Sequence, residues 1–178
     1  PCLPKNQIAD EWKLRREIFC GPDGIPLATN SRWILDIAKR SLKGLRHADV
    51  VYLGLDDRLF KPIDRALAKR LVDLSPERFV ILMGAINVND RRKGGHFFND
   101  IFSALADEAD FLIFGHESLA LQGVKTTGLI RDYRKMPILY SAADLFVGTS
   151  LEEAFGQTFC EAAACGVPVV GFNVGGVP

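Results

Sequence analysis

Residues 144–178 read DLFVGTSLEEAFGQTFCEAAACGVPVVGFNVGGVP, and the alternation inside this stretch decides the fold. Leu145–Gly148 is short and apolar, as a strand is, and Thr149–Glu153 is a polar loop with adjacent carboxylates at Glu152 and Glu153. Gly156–Ala164 has helical character and is stopped by Gly166 just after Cys165, and Val169–Phe172 reads as a second strand. Gly175-Gly176, beyond that strand, is expected to open another helix. Strand, loop, helix and strand within about thirty residues make a βαβ unit, whose crossover is right-handed.

The loop before the helix is where ligands gather in such sheets. A helix N-terminus offers unpaired N–H groups and partial positive charge, which suits phosphate. Phe155, Gly156, Gln157 and Thr158 supply those amides, and Gly156 lets the backbone come close to a ligand. Glu153 stands just ahead of the helix and Glu161 in its second turn. A carboxylate accepts from two neighbouring hydroxyls at once, as in a ribose or hexose diol. The set therefore suits a ligand with phosphate in the middle and polyols at both ends. Taken alone, Glu152 and Glu153 equally fit solvated loop charges, and Glu161 a surface position on its helix.

Outward from this stretch, 178 residues permit one domain of ordinary size, or one domain plus a fragment. A hydrophobic fraction of 48% is enough for a real core and too much for disorder. Lys+Arg and Asp+Glu both number 22, so zero net charge gives no general attraction to nucleic acid or anionic membrane. The cysteines are Cys2, Cys20, Cys160 and Cys165; they lack zinc-ligand spacing and read as free thiols of a reducing cytosol. No apolar run reaches the ~18 residues of a membrane-spanning helix, and no signal peptide is visible. A start at Pro1 and a stop just after Gly-Gly-Val-Pro give the look of an excised piece.

Along the chain, Glu11–Phe19 has the spacing of a short helix and Leu27–Thr29 that of a strand end. Asn30 or Ser31 can cap a helix over Arg32–Ser41, and His47–Leu53 is a short apolar strand. A helix follows near Asp64–Leu74. Phe79–Met83 is continuously apolar, as a parallel strand buried on both faces must be. A loop, Ile86–Lys93, leads to a helix burying Phe97, Phe98, Ile101, Phe102 and Leu105, then to a strand at Phe111–Phe114. Lys125–Ile130 reads as another short strand and Met136–Ala143 as a helix. Strands and helices alternating at this pace imply an α/β fold, a Rossmann-like doubly wound parallel sheet with ligands at the carboxyl ends of its strands.

Glu153 and Glu161 have seven residues between them, with Phe155-Gly156 inside; Glu161-Ala162 precedes Gly166-Val167-Pro168-Val169-Val170, and Gly175-Gly176-Val177-Pro178 follows. The whole run closely resembles the nucleotide-sugar signature of retaining GT-B glycosyltransferases, group 1 or family 4-like, in their C-terminal donor-binding domain. The resemblance implies that Glu161 holds the ribose hydroxyls of the donor. Glu153, as the catalytic carboxylate, meets the transferred sugar, and the amides of Phe155, Gly156, Gln157 and Thr158 face the sugar and diphosphate. It places a Lys-Gly pair, here Lys93-Gly94, on the donor phosphates, and a base-facing backbone near Gly128–Asp132, with Ile130 at its centre. The strand that ends at Gly84 is normally followed by a phosphate-binding arginine; Ala85 stands there, so Arg92, ahead of Arg91, takes that part. Gly115-His116-Glu117-Ser118 follows a strand and reads as structural.

By the same resemblance, residues 1–50 are a remnant of the acceptor-side domain and linker, and 51–178 are the nucleotide-sugar-binding domain. The implied reaction moves a hexosyl group from a UDP- or GDP-hexose to a glycan, lipid or small-molecule acceptor, with retention and without a metal or other cofactor. No Asp-x-Asp pair is present to argue otherwise. A facing domain brings the acceptor, so these 178 residues alone are expected to show little or no turnover. The expected setting is cytoplasmic, with peripheral membrane contact of the whole protein left open and no nucleic-acid partner. A nucleotide-sugar epimerase, a phosphorylase-like enzyme and a non-catalytic sugar-nucleotide-binding module are the alternatives.

Overall fold

The computed structural model describes residues 5–84, 90–115 and 124–178. The chain divides into two compact units, residues 1–53 and 54–178. The first holds α1 (Lys5–Cys20), β1 (Leu27–Thr29), α2 (Arg32–Ser41) and β2 (Ala48–Val50). α1 is longer than the expected Glu11–Phe19, because no breaker stands between Pro4 and Gly21. Ser31 is the cap of α2, its hydroxyl accepting from the Ile34 amide at 3.2 Å. β1 and β2 pair in parallel, Leu27 opposite Ala48. β2 stops at Val50 rather than Leu53 since its partner strand is only three residues long, and Val51, Tyr52 and Leu53 are exposed.

The second unit begins with α3 (Arg65–Leu71) and β3 (Phe79–Gly84), followed by a 3-10 turn at Arg91–Lys93. Then come α4 (Phe97–Leu105), β4 (Ala109–Phe114), β5 (Val124–Thr126) and a second 3-10 turn at Tyr133–Lys135. α5 (Met136–Ala142), β6 (Leu145–Gly148), α6 (Gln157–Ala164) and β7 (Val169–Gly171) complete it. The five strands form one parallel sheet in the order β5-β4-β3-β6-β7. From β3 the chain winds outward through β4 to β5, returns to lay β6 on the other side of β3, and continues to β7. This is the doubly wound α/β arrangement expected from the alternation.

Period-two geometry explains the unbroken apolar run of β3. Val80 and Leu82 join Leu112, Phe146, Leu139 and Tyr140 in one buried cluster, while Ile81 and Met83 join Phe98, Phe111 and Ile113 in another. α5 and α6 contribute to the first cluster and α4 to the second. One expectation changes: the strand at Lys125–Ile130 is confined to Val124–Thr126, because Gly128 takes a φ of +66° and turns the chain. Gly175-Gly176 forms a turn, with the Gly176 amide donating to the Glu153 carbonyl at 2.8 Å; of the helix expected to open there, the described residues include only Val177 and Pro178. Among the described residues no helix is long and apolar enough to cross a membrane.

One buried ion pair ties the second unit together. Lys69 is only 3% exposed. Its ammonium reaches Asp144 Oδ2 at 2.7 Å and the Arg78 carbonyl at 2.6 Å. The same Oδ2 accepts the Val80 amide at 2.9 Å, and Oδ1 accepts from Arg65 at 2.8 Å. Asp144→Ala strands the Lys69 cation and should cost about 3 kcal/mol of stability in urea unfolding. Arg65 is half-exposed, so Arg65→Ala should cost under about 1 kcal/mol.

Candidate functional site

A cavity of about 340 Å³ opens where the carboxyl ends of β3, β4 and β6 meet the N-terminus of α6. Gly84, Phe114 and Gly148 form its floor; Lys93, Glu153, Gln157 and Thr158 are in its wall. β3 and β6 are the strands between which the winding direction reverses, and such a switch point leaves a crevice outside the strand ends.

Two loops close on each other beside it. The turn Arg91–Lys93 is capped by Asp90, whose carboxylate accepts the Arg92 amide at 3.0 Å. Gly94 ends it with a φ of +65°, and a Cβ there would lie 1.9 Å from the Thr149 carbonyl oxygen. Only glycine allows both that conformation and that approach. The Thr149 hydroxyl then donates to the Lys93 carbonyl at 2.9 Å, and the Leu151 amide to the Arg92 carbonyl at 2.7 Å. Zipped in this way, the loops put Lys93 Nζ 2.6 Å from Glu153 Oε2, although the residues are 60 apart in sequence.

Glu153 is mostly buried, and its Oε1 accepts the Ala154 amide at 3.1 Å. Burial pushes its carboxyl up, but the Lys93 ammonium and the amides of Phe155 and Ala154 outweigh burial and hold the pKa below the ordinary value. α6 opens at Gly156 with a φ of 85° and no side-chain cap, which leaves first-turn amides for another acceptor. Within the same wall the Gln157 Oε1 is buried and has no hydrogen-bond partner among the described residues. An acceptor in that state is costly unless a ligand supplies the donor.

The structure brings Gly84, Lys93, Glu153, Gln157 and Thr158 to one cavity, with Phe155 and Gly156 in the intervening turn. It sets the other expected residues apart. The Arg92 guanidinium points to Asp90, with Nε and Nη2 at 3.2 and 2.7 Å from its two oxygens, and is largely exposed. Glu161, far from a surface position, is 3% exposed; its carboxylate accepts from Tyr140 at 2.7 Å and from Tyr133. Ile130 is half-buried against the cluster that contains Tyr140. Ala85 and His116–Ser118 lie outside the described residues. Sequence reading missed Asp90 and Ser150 in the cavity wall and Tyr133 as a partner of Glu161 outside it; all three pair through the fold or over short turns, with no periodic signal. Among the described residues no group of three His, Cys, Asp or Glu side chains is placed to hold a metal ion.

Comparison with known proteins places this geometry. Residues 77–178 match the family described as glycosyl transferases group 1. The lipopolysaccharide core biosynthesis mannosyltransferase LpsB of Rhizobium meliloti is 32% identical over 145 residues, 71% of this chain and 40% of that protein. A D-inositol 3-phosphate glycosyltransferase of Mycobacterium sp. strain KMS is 33% identical over 153 residues, 73% of this chain and 33% of the relative. The chain thus spans 40% or less of the length of these relatives. Among solved structures, sucrose-phosphate synthase from Thermosynechococcus elongatus superposes with a TM-score of 0.76 at 22% identity, covering 98% of this chain and 47% of that one. Anabaena HepE in complex with UDP and glucose gives 0.71 at 20% identity, covering 98% and 51%. At these identities the two structures share the fold.

A lowered folded pKa at Glu153 has a definite consequence. Its pairing contributes stability that is fully present above the unfolded carboxyl value of 4.5 and is lost as pH falls through the lower folded value. Lys93→Ala removes the strongest opposing charge and leaves burial in command. The Glu153 carboxyl midpoint in an NMR titration should then move upward; an unmoved midpoint would show that Lys93 does not set it.

Proposed function

The chain belongs to the group 1 glycosyl transferases, and we propose that its second unit is the nucleotide-sugar donor site of a hexosyltransferase. The observation that supports this most directly is the cavity at the β3/β6 switch point, where the Lys93 cation, the Glu153 carboxylate paired with it and an uncapped helix N-terminus converge, while Asp90, also in the lining, is paired with Arg92. Each has a counterpart in a sugar diphosphate. The diphosphate takes Lys93 from Glu153 and faces the amides of Gln157 and Thr158. Glu153, released on one oxygen, accepts from hydroxyls of the hexose, and Gln157 Oε1 gains a donor. Glu161 serves the ribose and the backbone near Ile130 the base. Arg92 can leave Asp90, which is shared with solvent, and add a second cation.

In the reaction, the bond between the anomeric carbon and the diphosphate oxygen breaks, and its electron pair leaves with the nucleotide. The acceptor hydroxyl oxygen forms the new bond, and its proton passes to the departing diphosphate oxygen. Fixed positive charge at the leaving oxygen lowers this barrier, because it strengthens as the phosphate charge develops. Lys93 and the dipole of α6 provide such charge, and we therefore read the transfer as metal-independent; retention of the anomeric configuration is what the family resemblance implies. The acceptor is a glycan, lipid or small molecule. A cytoplasmic setting, where Cys160 and Cys165 stay reduced, completes the reading.

NMR titration of the chain with UDP, GDP, UDP-glucose and GDP-mannose tests it. One nucleotide series should perturb Gly84, Gln157 and Thr158, and Lys93→Ala should weaken it about tenfold, as loss of a charged hydrogen bond does. Glu153→Gln should weaken the sugar nucleotide more than the bare nucleotide. Perturbations confined to other residues would overturn the assignment.

A further inference from the structure

Behind the helical wall of the cavity lies a second polar cluster whose members are unequal. Tyr140 donates to Glu161 Oε2 from α5 and is fully buried, its ring near those of Phe60, Phe114 and Phe146. It cannot leave without opening the core. Tyr133 donates to Glu161 Oε1 from a three-residue 3-10 turn and is 48% exposed. Its ring is held by an edge contact with Phe60 at 5.0 Å, and its hydroxyl also meets the side chain of Gln157. Gln157 lines the cavity, so Tyr133 and Glu161 lie one side chain behind its wall.

We propose that the Tyr133 hydroxyl is a place-holder on Glu161: it occupies the carboxylate oxygen that a ribose hydroxyl of the donor takes, and the ring swings out when the nucleotide enters. Tyr133 is thereby a positioning residue that sets nucleotide affinity and the preference for ribose. The inference rests on the nucleotide-sugar reading above. Its physical basis is the cost of leaving a buried carboxylate oxygen unpaired, which keeps Tyr133 in place until another hydroxyl arrives. The exchange replaces one O–H donor by another of the same kind. Gln157 Oε1, buried without a partner at the junction, is the acceptor for a second hydroxyl of the incoming diol. The tyrosine hydroxyl competes with a ligand group that needs Glu161 Oε1, so it lowers the apparent affinity of a ribonucleotide and leaves that of its dideoxy form unchanged.

The test is calorimetric and NMR titration of the wild-type, Tyr133→Phe and Tyr140→Phe chains with UDP and GDP, and with the 2′,3′-dideoxy forms of both. Tyr133→Phe should bind the ribonucleotide about tenfold tighter, the order of one hydrogen bond to a charged group. The dideoxy form should gain nothing, and Tyr140→Phe should not tighten either ligand. In the wild-type chain, saturation should move the Tyr133 ring resonances toward those of an exposed tyrosine while Tyr140 stays fixed. This second readout needs no variant to fold. Equal tightening of the dideoxy form, an unchanged or weakened ribonucleotide, or a Tyr133 ring unmoved at saturation would each overturn the place-holder. Absence of any UDP or GDP binding by all three chains at millimolar concentration would instead overturn the donor-site reading, and the place-holder with it.

Discussion

The carboxylate of Asp144 fixes the position on which everything else depends. After β5 the chain must come back across the sheet and lay β6 against β3, and among the described strands that return is the step at which the winding reverses direction. Asp144 stands immediately before β6 and accepts the Val80 amide of β3 together with the buried ammonium of Lys69. It thereby sets the register that pairs Ile81 with Leu145 and Met83 with Val147. Because side chains alternate along a strand, a slip of one residue would exchange the two buried faces of β6. Gly84 and Gly148 end their strands side by side as a consequence, and the crevice beyond them is the cavity.

Burial of charge in this unit follows one rule at three places: no carboxylate is left without donors. Asp144 has Lys69, Arg65 and an amide; Glu153 has Lys93 and an amide; Glu161 has two phenols. The partners differ in how firmly they are held. Lys69 lies among backbone carbonyls and is 3% exposed, so its pair is structural. Lys93 and Tyr133 come from 3-10 turns and keep a third to half of their surface in water. Donors of this second kind are the ones that, on the proposed reading, a ligand exchanges without disturbing the core.

Local pattern carried the fold. The bounds of α2 and β6 are those expected from apolar spacing and from the glycine and serine that frame them, and α4 holds the five apolar residues expected of it, because these elements are set by neighbours within a few residues. β2 and β5 are shorter than expected for different reasons: β2 has only the three residues of β1 to pair with, and Gly128 turns the chain after β5. The placement of Glu153 and Lys93 near one helix N-terminus was legible from the resemblance. The ion pair between them was not, for it depends on Gly94 admitting Thr149 across 55 residues, a matter of backbone clearance. Without the resemblance, Glu161 equally fitted a surface position, for a similar reason: both its partners lie on the turn and helix between β5 and β6, 28 and 21 residues upstream.

Exchangeable donors also determine what kind of selectivity such a site has. A ligand group that replaces Lys93 or a tyrosine hydroxyl forms one hydrogen bond and breaks another, so each contact adds little net affinity. A ligand that lacks the replacing group but occupies the space leaves a buried carboxylate oxygen or the Gln157 acceptor unpaired, and that penalty is not offset. Polar sites of this design bind their proper ligand modestly and reject near analogues strongly. For a site whose ligand carries several hydroxyls of almost equal chemistry, rejection of the wrong pattern is the harder requirement. A pre-paired, buried polar wall meets it, whereas a water-filled pocket with unpaired charges would bind any anion.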